Sequence, residues 1–335
     1  MPNPRPLLLV LALLAAFALA CGPTPTQPPS PDKLNVVTTV APITSIVENI
    51  GGNHIRLQGI VPEGVSSHTY EPSPSIARTL AAADLIIANG LFLEEPTLRI
   101  AESVKRDAVP IVLLGDRTLT RDQWAFDFTF PESGGHPNPH VWPDPTLALR
   151  YAQIVHETLV TLDPPNTERY DDNLALFTDR IDRLDDAIRQ AIATIPPNNR
   201  KLLTYHDSWA YFARSYDVEV IGAIQPSDFS EPSPQEMARL IIQVRDLGVP
   251  AVFGSEVFPS KALQQIARES GAQYSDQLAD DDLPGLPGDP EHSYFGLMSR
   301  NMIIMVEALG GDASPFHHFD SSRTFADPPT AIYPQ

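Results

Sequence analysis

Three histidines and one aspartate, His68, His140, His206 and Asp276, lie far apart in a chain of 335 residues, yet most of them close or follow a predicted strand. Three imidazoles and one carboxylate form a complete tetrahedral donor set for a borderline-soft divalent cation such as zinc. Four protein donors leave no vacant position for a reacting molecule. The set therefore suits holding a metal better than catalysing with one.

The chain has nine histidines, so context must separate them. His68 falls in Ser66-Ser67-His68-Thr69-Tyr70, in the loop after a strand ending at Val61. His206 follows the predicted strand Lys201 to Tyr205, and Asp276 follows the predicted strand Ala272 to Ser275. Ligands of open parallel sheets gather beyond the carboxyl ends of strands, where these three are placed. His140 stands in Asn138-Pro139-His140-Val141-Trp142, at the mouth of a Gly/Pro loop spanning Pro131 to Pro139. His156 lies inside a helical pattern, and the pair His317-His318 reads as a plain surface feature.

The elements that must position these residues alternate along the chain. Strands are predicted at Leu34 to Val40, Ile55 to Val61, Leu85 to Ala88 and Ile111 to Leu114. A second group is predicted at Lys201 to Tyr205, Val218 to Ile221, Ala251 to Gly254 and Ala272 to Ser275. Helical stretches lie between them, at Ile43 to Ile50, Pro74 to Ala82, Pro234 to Leu247 and Lys261 to Glu269. Strands spaced by helices imply parallel sheets of βαβ units, and two groups imply two α/β lobes. His68 and His140 then come from one lobe and His206 and Asp276 from the other, which would put a metal in the cleft between them. Tyr170, Leu174, Phe177, Ile181, Leu184, Ile188 and Ile192 recur at steps of three and four, a single apolar stripe on one long helix over about residues 166–195. A helix of this length between two lobes reads as a rigid backbone and predicts small lobe movement. A coiled-coil dimer is the rival reading, but the steps keep no steady heptad. The acidic triplet Asp280-Asp281-Asp282, followed by Pro and Gly, is expected to be a solvated loop.

Leu7 to Ala20 is an almost unbroken apolar run, too short to span a bilayer, and Arg5 precedes it: an export signal over residues 1–20. Cys21, the single cysteine of the chain, follows Ala18-Leu19-Ala20, which is similar to a bacterial lipobox except that Leu is usual where Ala18 stands. Lipidation of Cys21 is the expected outcome; signal cleavage beside an incidental cysteine is the alternative. The proline-rich residues 21–33 then form a tether that cannot pack. With Cys21 lipidated, thiolate metal sites are excluded and a metal must be held by His, Asp and Glu. The net charge is −19, and residues 1–20 carry only Arg5, so the remainder holds about −20. That balance argues against nucleic acid and against docking on anionic lipid.

Taken together, these motifs resemble the zinc/manganese solute-binding proteins of bacterial ABC transporters, the cluster A-I metal receptors. Val36-Val37-Thr38-Thr39-Val40-Ala41-Pro42 is similar to their opening strand and turn. The His68-Thr69-Tyr70-Glu71-Pro72, Asn138-Pro139-His140-Val141-Trp142, His206-Asp207-Ser208-Trp209 and Tyr274-Ser275-Asp276-Gln277-Leu278 segments resemble their four ligand motifs, in order. The family usually has Asp where Asn138 stands. The resemblance runs from about Leu34 to Leu309. It implies an α/β fold of two parallel-sheet lobes, 34–150 and 199–312, joined by a linker over 151–198 that holds one long backbone helix, with a tail at 313–335. It also implies a monomeric receptor outside the cytoplasm, in the periplasm or at the cell surface, held to a membrane through Cys21. Such a receptor passes a divalent metal to an ABC permease. Zn²⁺ suits three neutral imidazoles and one carboxylate; Mn²⁺, which prefers more oxygen, is the alternative, and the absence of a long His-rich loop leaves it open. Glu71, Asp207 and Glu256 are candidates to orient the histidines, with a plain structural role equally open. A metallohydrolase is the first rival, but the chain has no HExxH and the four donors leave no place for water. A surface adhesin is the second, with nothing in the sequence naming its partner.

Overall fold

The fold was read from a computed structural model, which describes residues 33–225, 232–255, 260–325 and 328–334, without the side chains of residues 276 and 277. The predicted export signal, Cys21, most of the tether and Glu256 lie outside the described residues.

The first lobe runs β1 (Asn35–Thr38), α1 (Ala41–Gly51), β2 (Arg56–Gly59), α2 (Pro74–Ala82), β3 (Leu85–Ala88), α3 (Glu95–Val104), β4 (Ile111–Leu113) and the short α4 (Leu114–Thr118). Two long helices follow, α5 (Pro145–Leu162) and α6 (Thr167–Thr194). The second lobe runs β5 (Lys201–Thr204), α7 (Ala210–Tyr216), β6 (Glu219–Ala223), α8 (Pro234–Leu247), β7 (Ala251–Ser255), α9 (Lys261–Ser270), β8 (Gln273–Leu278) and α10 (Tyr294–Ala308). Proline in the first turn starts α1, α2, α3, α5 and α8, where its missing N–H would have had no intrahelical partner.

Each lobe is a four-stranded parallel sheet, and the two share one topology: β2-β1-β3-β4 and β6-β5-β7-β8. Strands buried on both faces read as continuous apolar runs, as in Leu85-Ile86-Ile87-Ala88. The central strands β1 and β5 are where the chain order reverses, and sites form beyond the carboxyl ends of such strands. The eight strands stand where the sequence predicts them, with one difference. β8 runs on to Leu278, because its register against β7 slips by one residue between Phe253 and Ser255. Asp276 is therefore inside a strand and does not end one.

α6 measures about 42 Å over its 28 residues. Its buried stripe, Tyr170, Phe177, Ile181, Leu184, Ile188 and Ile192, packs within the chain against α1, α5 and α10. The core behind it is continuous from Val36 in the first sheet to Phe253 and Phe295 in the second lobe. Near its end the chain returns to the first lobe. Ile332 pairs with Gln58 on the edge of β2, and the Tyr333 hydroxyl donates to Glu48 Oε2 at 2.8 Å. No helix among the described residues is long and apolar enough to cross a membrane.

Candidate metal centre

The loop after β2 carries His68, the segment before α5 carries His140, and the residue pair following β5 ends in His206. Their ring nitrogens converge: His140 Nε2 lies 3.0 Å from His68 Nε2 and 3.0 Å from His206 Nε2. His140 is fully buried, and the other two are partly exposed.

Hydrogen bonds on the far side of the rings decide what those nitrogens present. Asn138 Oδ1 accepts from both the backbone N–H and Nδ1–H of His140, at 3.0 and 2.8 Å. Its Nδ2 donates to Asp127 Oδ2 and to the Asp207 carbonyl, at 2.9 and 2.7 Å. The amide cannot be turned round without losing all four bonds, so the His140 proton sits on Nδ1. Nε2 is then a bare lone pair. His206 Nδ1 faces Gln225 Oε1 at 3.1 Å, which leaves the His206 Nε2 bare as well. Two lone pairs at 3.0 Å repel each other unless a cation stands between them. Protonation is disfavoured: burial pushes His68 and His140 well below the ordinary 6.5, and the neighbouring imidazoles push the same way. Burial also lowers His206, opposed by the charge of Asp281 and the bond to Gln225. A divalent metal fits the nest. With metal–nitrogen bonds of about 2.0–2.1 Å, tetrahedral donors stand about 3.3 Å apart, a small expansion of what is found.

Rigid supports hold the nest. Asn89 Nδ2 donates to the Pro139 carbonyl at 2.8 Å, and its Oδ1 accepts from Tyr151 at 2.7 Å. Asn89 stands at the start of a turn in which Gly90, Leu91 and Phe92 all have positive φ (80°, 50° and 69°), costly for the two that are not glycine. Glu94 and Asp116 hold the turn, their carboxylates accepting from the N–H groups of Asn89, Gly90 and Leu91. Phe130 and Trp142 pack on the imidazoles, ring centroids 5.9 Å from His68 and 5.3 Å from His140, and limit access of water.

Of the candidate orienting residues, Glu71 is exposed and Glu256 lies outside the described residues. Asp207 is buried; its carboxylate accepts from Thr129 N–H at 2.8 Å, and its carbonyl anchors Asn138. It reaches the site through Asn138, one of two orienting residues, with Gln225, that the sequence reading missed. An amide beside a ligand motif was the available signal for Asn138; Gln225 had none. Asp276 lies on β8, and its carboxylate is not among the described side chains.

The acidic triplet is not the solvated loop the sequence suggested. Asp280 and Asp281 are 5% and 7% exposed. The Asp280 Oδ2 stands 3.5 Å from His206 Nε2 and 3.9 Å from His140 Nε2. Asp281 Oδ2 accepts from Ser67 Oγ–H at 2.7 Å, and Asp282 accepts from Gly64 N–H at 2.8 Å, so the loop bonds across to the other lobe. Partners more than 200 residues away supply the donors that make burial of these carboxylates affordable.

Residues 36–308 match the sequence profile of the family described as zinc-uptake complex component A, periplasmic (ZnuA). The iron-binding protein YfeA of Yersinia pestis is 29% identical over 83% of this chain and 87% of its own length. The manganese ABC transporter substrate-binding lipoprotein PsaA of Streptococcus pneumoniae is 27% identical, over 90% of this chain and 97% of its own. Among solved structures, the periplasmic zinc-binding protein TroA of Treponema pallidum superposes with a TM-score of 0.74 at 28% identity, covering 83% of this chain and 99% of that one. With its two parallel-sheet lobes, long helix and converging imidazoles, the chain belongs to the family of ZnuA-type periplasmic metal-uptake components.

Proposed function

We propose that the protein is an extracytoplasmic receptor that captures a divalent metal between its lobes and delivers it to an ABC permease. The observation that carries this reading is the pair of bare imidazole lone pairs held 3.0 Å apart on His140 and His206 by Asn138 and Gln225, with His68 completing the nest. Such an arrangement is built to bind a cation. It holds three nitrogens and recruits a carboxylate, for which the sequence nominates Asp276. Catalysis needs a coordination position kept open for water, whereas three nitrogens that recruit a carboxylate, behind the walls of Phe130 and Trp142, favour holding the ion.

Zinc is the favoured cargo, since three imidazoles and few oxygens match its preferences and the affinity order places it above manganese at nitrogen sites. Manganese is the alternative; relatives at similar identity carry iron, manganese and zinc in their names. Anchoring through a lipid on Cys21 agrees with the relatives named as lipoproteins. Action as a monomer agrees with the burial of the α6 stripe inside the chain. The test is competitive titration of the chelator-stripped chain with Zn²⁺ and Mn²⁺. One tight zinc equivalent that resists excess Mn²⁺ is expected. Preference for Mn²⁺ would overturn the cargo, and no tight site for either ion would overturn the function.

A further inference from the structure

The match to the family profile stops at residue 308, and the chain continues to Gln335. Residues 332–334 of that extension run beside the outer edge of β2 and on toward the loop that carries His68. Ile332 N–H donates to the Leu57 carbonyl at 3.0 Å, and Gly59 N–H donates to the Ile332 carbonyl at 2.9 Å. Further along, Glu63 N–H donates to the Pro334 carbonyl at 3.2 Å. Among residues 328–334 only Tyr333 is buried, and it enters the seam between the lobes. There it packs with Ala41 of α1, Leu283 of the loop after β8 and Leu297 of α10, in an apolar cluster apart from the main core. Its hydroxyl donates to Glu48 of α1, and its ring stands edge-on to His292, just before α10, with centroids 4.6 Å apart. His292 Nε2 in turn lies 3.5 Å from Glu63 Oε1, which also accepts from Leu283 N–H at 3.4 Å. The strip thus joins the approach to His68 to the second lobe through one aromatic ring.

On the reading of the protein as a metal receptor, we propose that this C-terminal strip is a latch with Tyr333 as its positioning residue: it fixes the His68 loop against the second lobe and must lift before the metal leaves. The His68 loop needs such support, because the chain forms no helix or strand between Gly59 and Pro74. A chelated ion departs donor by donor, so the donor on the least rigid segment governs its exit. The strip itself is suited to lifting. It makes a single bridge to β2, and the Ile332 side chain is 57% exposed, so few buried contacts oppose its opening. It touches none of the three imidazoles, so it governs how fast an ion leaves and not which ion is preferred.

The experiment follows release of bound Zn²⁺, and separately Mn²⁺, into excess chelator by stopped flow. It compares the unaltered chain, Tyr333→Ala, and a Gln58→Cys/Ile332→Cys pair in which Cys21→Ser removes the native thiol. Gln58 and Ile332 are bridge partners, so a disulfide between them ties the strip to β2. Tyr333→Ala is expected to release both ions about 10-fold faster or more, the low end for losing a support behind a ligand. The oxidised cysteine pair should release them at least about threefold more slowly than after reduction, measured against the unaltered chain in the same reductant. A role in folding alone would lower the denaturation midpoint of metal-free Tyr333→Ala and leave release within about twofold, which would overturn the latch and leave the receptor intact. An effect on one ion and not the other would also overturn it, as the mark of an altered donor set. Should Tyr333→Ala not fold, the cysteine pair decides: slower release when oxidised supports the latch, and equal rates overturn it. An unaltered chain that binds neither ion would instead overturn the receptor reading, and the latch with it.

Discussion

Replacing Asn138 by alanine should damage metal binding and stability by separable amounts. Asn138 has no exposed surface and makes four hydrogen bonds: it accepts twice from His140, and it donates to Asp127 and to the Asp207 carbonyl. Its removal takes one hydrogen-bond partner from each of these four groups. At about 1 kcal/mol each, the low end for a buried group that loses a partner, the metal-free chain should lose about 3–4 kcal/mol after water refills part of the cavity. Independently, His140 loses the acceptor that holds its proton on Nδ1, and its ring no longer presents a fixed lone pair. Loss of such a partner costs about 10–100-fold in affinity, or about 1.4–2.7 kcal/mol. Denaturant unfolding of the metal-free chain measures the first quantity and chelator competition the second. Asn138→Asp provides the control. It keeps an oxygen for His140 but sets a second one against Asp127 Oδ2, where an amide now donates at 2.9 Å. The pocket already holds two carboxyls, Asp127, raised by burial, and Asp207, driven well above its usual range by burial and by the charge of Asp127. Asn138→Asp should therefore retain metal affinity within about tenfold while losing stability at neutral pH. A Zn²⁺ affinity unchanged in Asn138→Ala would refute the claim that this amide sets the tautomer of His140.

Acid should destabilise the metal-free chain. His68, His140 and His206 have folded-state values below the ordinary 6.5, so the unfolded chain binds more protons below that pH, and stability falls as pH drops through 6.5 toward the lowered values; denaturation midpoints from pH 8 to 5 check this. Glu94 works in the opposite sense: burial, opposed by bonds from Thr39, Asn89 and Gly90, raises it from 4.5 to about 7. Its contribution is lost as pH rises between those values, by about 3.4 kcal/mol for 2.5 units at 1.36 each, so the stability gap between the unaltered chain and Glu94→Gln should narrow by about 3 kcal/mol from pH 4.5 to 7. Because one core and the α6 helix run through both lobes, the radius of gyration measured by X-ray scattering should change by less than about 1 Å between metal-free and metal-loaded forms; a larger change would refute a rigid frame.

What the sequence determined by itself was everything that depends on neighbours in the chain. Leu85-Ile86-Ile87-Ala88 and the other short β-branched runs are strands because such residues fit a sheet buried on both faces, and their spacing by helices dictates parallel pairing. The stripe from Tyr170 to Ile192 is a helix because its apolar residues recur at helical spacing, and α6 occupies residues 167–194 against an expected 166–195. His68 and His206 could be singled out because each sits beyond the carboxyl end of a strand, and His140 by its Asn-Pro-His-Val-Trp setting at the mouth of a Gly/Pro loop, and the three do converge. The acidic triplet shows where local reading ends. Three adjacent aspartates before Pro and Gly are costly to bury on their own, so solvent is the only environment that neighbours in sequence can suggest. Their actual environment comes from Gly64, Ser67 and the ring nitrogens, brought near only when the lobes meet. The protonation of His140 and His206 is likewise a tertiary matter, since an imidazole has two equivalent places for its proton until Asn138 and Gln225 choose one. Hydrophobic periodicity is a short-range signal carried by each segment, whereas the compensation of buried charge is a property of pairs that only the fold brings together.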